Sequence, residues 1–570
     1  MASAQTVNPL TLAVIRHKLQ AIAEEMVETM THTCFSPILN QNQDFSSVIL
    51  DRIANTVAQA ERVPIHMGAM SWAIKAMANE FEDLSPGDVL VANDPYAGGS
   101  HLPDITMAKP VFVDGKLQLW VSIRAHQGDI GGISAGGYSA SAREIWHEGL
   151  RVPPVRLITK GLLHEDILNL IAWNSRKASD LKGDLRAQIS AVEVGARRLE
   201  DLLKRYGTAE IQSCAEAILD AGEVGMRSLL RRCRPGRYDA TSYLETEDGA
   251  DLIPIRAVVE IVDGRAVVDL TQCPDQTNSF INSPIANTRA SVNVAFLYLN
   301  DDDQVLNDGS TRAIELKTRQ GSIVDPVEPG PVAGCTSLTA SAIIEAVLIA
   351  MTQALPENAI AGFARRFRFA LAGHGENGES FIWHSFFNRG GAGANAQTDG
   401  WPNLGGIHNP GGTPSPSIER TEAAYPLVIE EYALRQDSGG AGLHRGGLGG
   451  RISIRYEGTR PAILNAAGEG IAVHPYGLSG GGSAPGHDYI IERLDGEVLP
   501  VGGRDSGIEL LAGDRIVCQS SGGGGFGDPQ QRPREQIAAD IVNGYISEHH
   551  AREVYGFFDV AGACLSEASV

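Results

Sequence analysis

The sequence predicts a mixed, multi-layer α+β architecture, with helical layers toward the N-terminus and a β- and glycine-rich C-terminal half. Three observations carry this. Apolar residues recur at helical spacing near the start of the chain and again between residues 163 and 233. The period shortens to that of strands after Arg234-Pro235-Gly236. Most of the glycine clusters, in a chain of 570 residues with 64 glycines, fall beyond residue 390.

Taken in order, Asn8-Pro9 sets a capping side chain and a first-turn proline ahead of Leu10, Leu12, Val14, Ile15, Leu19, Ile22, Met26 and Met30. This predicts a long amphipathic helix from residue 9 to about 31. Short apolar runs at 47–50, 88–93 and 117–124 read as strands around a helix near 69–80. The charged, helix-period stretch 163–233 predicts a packed helical subdomain, with an arm reaching a partner as the other reading. Strands follow at 257–262 and 266–270, and helices at 285–299 and 336–352. The clusters Gly390-Gly391, Gly405-Gly406, Gly411-Gly412, Gly439-Gly440, Gly446 to Gly450, Gly480 to Gly482 and Gly522 to Gly525 predict tight turns that need positive φ. A helical tail spans about 534–555. These changes divide the chain into units 1–235, 236–410, 411–530 and 531–570.

Composition narrows the function classes. With 43% hydrophobic and 20% charged residues the chain is globular, and a formal net charge of −22 disfavours nucleic acid and anionic lipid as partners. No run approaches the ~20 apolar residues of a membrane span, and the first residues lack the order of a secretory signal, so a cytoplasmic protein is expected. Seven cysteines with no C-x-x-C pair argue against a disulfide framework and a zinc ribbon. Cys335, which opens an apolar helix, reads as a small buried residue rather than a nucleophile.

The informative stretch is Asn93-Asp94-Pro95-Tyr96-Ala97-Gly98-Gly99-Ser100-His101-Leu102-Pro103-Asp104. Gly98-Gly99 and Pro103 forbid a regular helix, which places His101 and Asp104 on a loop able to aim both side chains at one point. The H-x-x-D pattern recurs as His126-Gln127-Gly128-Asp129. There His126 ends a strand with the parity of Gln118, Ser122 and Arg124, beside glycine loops where sites collect. A metal ligand and a loop-capping imidazole remain equal readings for both histidines. Asp44 and His66, each alone, read as capping or structural residues. Two imidazoles with one or two carboxylates and no thiolate suit Zn²⁺, Mn²⁺ or Fe²⁺. Gly373-His374-Gly375-Glu376-Asn377-Gly378 fits G-x-G-x-x-G, but a strand-like run follows it where a dinucleotide site needs a helix, so it reads as a turn. With no G-x-x-x-x-G-K-[ST] either, any nucleotide is expected on another chain.

At these residues the chain resembles the B-type subunit of the hydantoinase B/oxoprolinase family. The resemblance rests on Asp44-Phe-Ser, Ala58-Gln-Ala-Glu-Arg-Val-Pro-Ile-His-Met-Gly68, the Asn93 to Asp104 block, Ala125-His126 with Asp129-Ile-Gly-Gly132, and Glu148-Gly-Leu-Arg-Val-Pro-Pro154. Asp437-Ser-Gly-Gly-Ala-Gly442, Arg445-Gly-Gly-Leu-Gly449 and Ser520-Ser-Gly-Gly-Gly-Gly-Phe-Gly-Asp-Pro529 extend it in family order. The length suits a free-standing B subunit.

The resemblance implies an ATP-dependent hydrolase of cyclic amides (hydantoin, oxoproline or a lactam such as caprolactam), active only with a partner. An A-type, actin-like subunit would bind ATP and Mg²⁺ and phosphorylate the amide oxygen, in an α2β2 or larger assembly. It implies metal ligands His101, Asp104 and His126, with Asp44 as a fourth. Asp129 would orient His126 or take a proton from water, or else bond the amides of Gly131-Gly132. Gln127-Gly128 departs from the family, which often has a bulky residue there, so the substrate does not transfer. The other readings are a related ATP-dependent ketone carboxylase, a two-His, one-carboxylate iron oxygenase, and a non-catalytic scaffold.

Overall fold

The computed structural model describes residues 7–60, 62–247, 249, 251–300, 307–375, 378–409 and 413–558. Gly411-Gly412, Cys564 and the Glu376-Asn377 pair of the G-x-G-x-x-G match lie outside them.

The first helix, Pro9–Thr33, starts where Asn8 Oδ1 accepts the Leu10 amide at 2.9 Å, and it buries Ile15, Leu19, Ile22, Met26 and Met30. Those side chains face an antiparallel sheet made of β1 (Phe45–Asp51), β2 (Thr56–Ala60), β3 (Val89–Ala92), β4 (Asp104–Val113), β5 (Lys116–His126), β6 (Val155–Thr159) and β7 (Leu162–Leu163), in the order β2-β1-β5-β4-β3-β6-β7. Helix Ala178–Tyr206 packs beside the first helix on that face through Leu185, Val192 and Leu199, so the charged helical stretch is a covering layer. On the opposite face Val48, Leu50, Leu90 and Trp120 meet Met70, Ile74 and Met77 of helix Pro64–Glu80. Each fully buried Leu, Ile or Met contributes about 1.5–3 kcal/mol. With helices on both faces, the polar-parity residues Gln118, Ser122, Arg124 and His126 are interior.

A second sheet, β8 (Gly236–Glu245), β9 (Leu252–Val262), β10 (Arg265–Asp269) and β11 (Ile314–Lys317), is ordered β11-β10-β9-β8. It shares a core with helices Ile285–Leu297 and Ala340–Ala354. The helical segment Cys335–Ala354 is long and apolar enough to cross a membrane, but it is mostly buried in this core.

Strands β12 (Phe367–His374) and β13 (Ser380–His384) form a hairpin, so the G-x-G-x-x-G segment connects strand to strand. They continue into Ala462–Gly468 and Ile508–Leu510, a sheet that spans both sides of residue 410. Phe367, Phe369 and Leu371 point into an aromatic core with Trp383, Phe387 and Tyr489. The alternate residues of β12 face the first sheet's loops, where Ala370 abuts Gly136.

The positive φ expected of the glycine clusters occurs at Gly405 and Gly480, while the other described clusters differ. Gly390, Gly391, Gly439, Gly440, Gly446, Gly447 and Gly522 to Gly525 are not among the residues with positive φ. They are extended segments bonded side by side: Gly447 N–H donates to Ala392 O at 2.9 Å, Gly523 N–H to Gly447 O at 2.8 Å and Gly440 N–H to Gly523 O at 2.8 Å. A Cβ on Gly523 would stand 1.9 Å from Ala392 O, and one on Gly446 would stand 1.9 Å from Gly523 O. Close backbone approach, not turn geometry, is what excludes a side chain there.

Candidate functional site

Sheet register assembles the site. In the antiparallel β4–β5 pair Asp104, the first residue of β4, stands directly opposite His126, the last of β5. On the other side of β5, β1 pairs Phe45 with Ala125, and the His126 N–H donates to the Asp44 carbonyl at 3.0 Å. His101 lies in the turn entering β4. The expectation of a loop therefore holds for His101, while Asp104 belongs to the strand, where the ladder fixes its backbone.

His101 Nε2 lies 2.9 Å from Asp104 Oδ1 and 3.1 Å from His126 Nδ1, and His126 Nδ1 lies 3.1 Å from Asp104 Oδ1. All three residues are buried. Ligand atoms placed about 2.1 Å from one cation, in octahedral or tetrahedral arrangement, are about 3.0–3.4 Å apart, so this triangle fits a metal ion. His101 Nδ1–H donates to the Ala333 carbonyl at 2.8 Å, which leaves the Nε2 lone pair of the neutral ring facing the triangle. The tautomer follows from the carbonyl, which only accepts. His101 Nε2 and Asp104 Oδ1 both accept, so either a proton on His126 Nδ1 or a metal ion must stand among the three atoms.

Electrostatics agrees. Burial opposes charge on His101, but the Asp104 carboxylate and its hydrogen bond outweigh burial and hold the imidazole above its ordinary value. Burial would likewise raise Asp104, yet His101 and His66 hold it well below the usual carboxylate range. Ser100 Oγ–H donates to Asp104 Oδ2. Arg124 is fully buried beneath, its Nε–H donating to Thr106 Oγ1 at 2.8 Å, and burial lowers it to about 10. Glu148 Oε1 accepts the Ala333 amide at 2.7 Å, on the same peptide segment that orients His101, and burial pushes its carboxyl up to about 8.

Asp44 lines the same cavity but sits one step outside the triangle, its Oδ1 3.8 Å from His66 Nε2. His66, read from sequence as structural, lies between the two acids, with Nε2 3.6 Å from Asp104 Oδ2. Burial lowers its pKa, and its Nδ1 is buried without a hydrogen-bond partner. Arg366, Arg368 and His408, hundreds of residues away in sequence, close the far wall. The enclosed volume of about 30 Å³ takes a water or two. A sequence signal existed for His66, in the block Val63-Pro64-Ile65-His66. None existed for the arginines, which arrive through packing alone.

Asp129 takes the second of its two expected roles. Its oxygens accept from the amides of Gly131, Gly136 and Arg176, from Ser175 Oγ and, at 3.0 Å, from Arg176 Nη1. Five donors saturate the carboxylate, and none is an imidazole; Gly136 takes the place expected for Gly132. Cys335 is buried, and burial holds its thiol well above the ordinary value, consistent with an inert side chain. A larger groove of about 700 Å³ lies beyond Gln127-Gly128-Asp129. Among the described residues the one histidine on its wall, His384, spends Nε2–H on the Gly128 carbonyl at 2.9 Å.

Comparison with known proteins gives consistent findings. The Hydantoinase B/oxoprolinase family model matches residues 8–529. The caprolactamase subunit beta of Pseudomonas jessenii is 36% identical over 99% of this chain and 98% of its own length. The crystal structure of the ATP-dependent caprolactamase from that organism aligns with a TM-score of 0.92 at 35% identity, covering 98% of each chain. 5-Oxoprolinase 1 of Arabidopsis thaliana is 30% identical over 90% of this chain, which spans 41% of that protein. Nucleotide-free acetone carboxylase has a TM-score of 0.90 at 21% identity, over 98% of this chain and 80% of that one, and shares the fold.

Proposed function

The chain belongs to the hydantoinase B/oxoprolinase family, and from that premise we propose that it is the B-type subunit of a cytoplasmic, ATP-dependent hydrolase of cyclic amides. His101, Asp104 and His126 would hold a divalent metal, with Asp44 and His66 adjacent. An A-type partner, in an α2β2 or larger assembly, would bind ATP and Mg²⁺ and phosphorylate the amide oxygen. The observation that carries the reading is the triangle of ligand atoms with 2.9–3.1 Å edges at the register point of β4 and β5.

A metal held there supplies a Lewis acid that makes hydroxide accessible at neutral pH. The chain's own residues do the rest. The Ala333 carbonyl fixes the His101 ring, and the β4–β5 ladder fixes Asp104 and His126. His66 places Nε2 between the Asp44 and Asp104 carboxylates, where its N–H would face both acids and hold their charge beside the site. The Asp129 loop, pinned to Arg176, holds Gly136 against β12.

Caprolactamase and 5-oxoprolinase among the relatives favour a lactam or 5-oxoproline as substrate. The fold shared with acetone carboxylase supports a second reading, an ATP-dependent ketone carboxylase subunit. The assay is ATP hydrolysis and product analysis on the chain copurified with its A-type partner. Release of ring-opened amino acid without bicarbonate supports the amidase. A carboxylated ketone formed only with bicarbonate replaces it with the carboxylase.

A further inference from the structure

The far wall of the metal cavity carries two arginines with no acidic partner. Strand β12 alternates Phe367, Phe369 and Leu371 into the aromatic core, which turns Arg366 and Arg368 toward the cavity shared with His101 and His126. Among the described residues no carboxylate forms an ion pair with either arginine, although other arginines of the interior have such partners, Arg365 with Glu345 and Arg504 with Glu469. Arg368 stacks with its guanidinium carbon 3.8 Å from the Phe386 ring centroid, and its Nη1 is buried without a hydrogen-bond partner. Arg366 Nη1 lies 3.5 Å from His408 Nε2, and its guanidinium also meets the Tyr138 hydroxyl, a neutral partner in the same cavity. His408 Nδ1 is 3.2 Å from Ser341 Oγ, whose proton goes to the Ser337 carbonyl, so the ring gives its proton to Ser341 and keeps a lone pair for Arg366. Burial and Arg366 itself hold His408 neutral.

Paired guanidinium donors turned into a shielded cavity are costly unless an anion meets them, and planar forks match tetrahedral oxyanions. We propose that Arg366 and Arg368 form a phosphoryl subsite that receives the phosphate group of the activated amide beside the metal centre and then the released inorganic phosphate. His408 and Phe386 are positioning residues that aim the two guanidinium groups. The proposal rests on the reading above, in which the substrate reaches this chain already phosphorylated on oxygen. The cavity of about 30 Å³ is smaller than a phosphoryl group, so the proposal requires the cavity to widen when the group enters.

The test is equilibrium titration of the full-length chain with inorganic phosphate, alongside R366Q, R368Q and R368K, with metal content and melting curve recorded for each. The wild type should bind phosphate saturably. R366Q and R368Q should weaken binding roughly ten- to hundredfold at unchanged metal content, and R368K should fall between, since lysine keeps the charge but loses the fork. If R368Q fails to fold, the half-buried Arg366 decides through R366Q. No phosphate binding by wild type, or equal binding by the folded variants, overturns the subsite. Failure of the amidase reading is seen separately, as absence of ATP-dependent ring opening with phosphate binding intact.

Discussion

Alanine at Gly136 places a methyl group where the loop that follows β5 meets β12. Its Cβ would stand 2.6 Å from the Ala370 Cβ and 3.1 Å from His384 Cε1, at a backbone φ of +80°. Left-handed backbone costs an L-residue roughly 1–2 kcal/mol, and overpacking a tight contact costs roughly 1–3 kcal/mol more. The expected loss is about 2–5 kcal/mol, relieved by separating the loop from the strand that carries Arg368. Gly115, in the turn between β4 and β5, is the internal control, because at φ +71° an added Cβ there meets nothing within 4 Å. Gly115→Ala therefore carries the conformational cost alone. Melting curves of the two variants measure the difference, and turnover in the assembled enzyme measures its consequence. A displacement near 1 Å at a reacting site costs about 100-fold, so Gly136→Ala should lose most of its turnover while keeping its metal, and Gly115→Ala should keep both. Equal melting and equal turnover of the two variants would refute the claim that loop and strand form one rigid wall.

Other substitutions probe separate features. Asp129→Asn removes a buried charge that accepts five hydrogen bonds, so it should destabilise by roughly 1–3 kcal/mol and leave the shape of the pH–rate profile unchanged, read by denaturant unfolding and steady-state kinetics; a displaced profile would restore Asp129 as a base. For Glu148, burial raises the folded carboxyl from 4.5 to about 8, so the native state holds that proton more tightly than the unfolded chain does. The stability this contributes is complete below pH 4.5 and lost as the pH climbs to about 8. Wild type should thus lose thermal stability relative to Glu148→Gln across that window, and parallel pH–melting curves would contradict it. Cys335→Ala should keep turnover, and iodoacetamide should leave the native Cys335 thiol unlabelled, as peptide mass mapping would report.

What the sequence revealed of the site was its local half. The repeated H-x-x-D marked His101, Asp104 and His126, and strand parity put His126 on the polar face of β5. The hairpin register that sets Asp104 opposite His126 needs the bulge between Val111 and Phe112 as well as the short turn between β4 and β5, since the turn's own register would set Asp104 opposite Ala125. His66 was visible as a residue but not as a neighbour, because its position depends on how helix Pro64–Glu80 lies across the sheet. Ala333, Glu148, Arg366 and His408 come from distant segments, and single-chain periodicity holds no information about that packing. The long helices and strand runs were legible because each repeats its apolar spacing many times. The glycine clusters were misread because composition does not separate positive φ from backbone crowding: Gly522 to Gly525 run extended between the segments at 390–393 and 438–449, and only neighbouring chain shows why no side chain fits.

The most direct measurement is metal content and ATP-dependent lactam, 5-oxoproline and hydantoin hydrolysis on the chain copurified with its A-type partner, wild type against His101→Ala. The wild type should carry a stoichiometric divalent metal and turn over only with both ATP and the partner, and the variant should lose metal and turnover together. A wild type without metal, or a variant equally active, would contradict the catalytic assignment of the triangle formed by His101, Asp104 and His126.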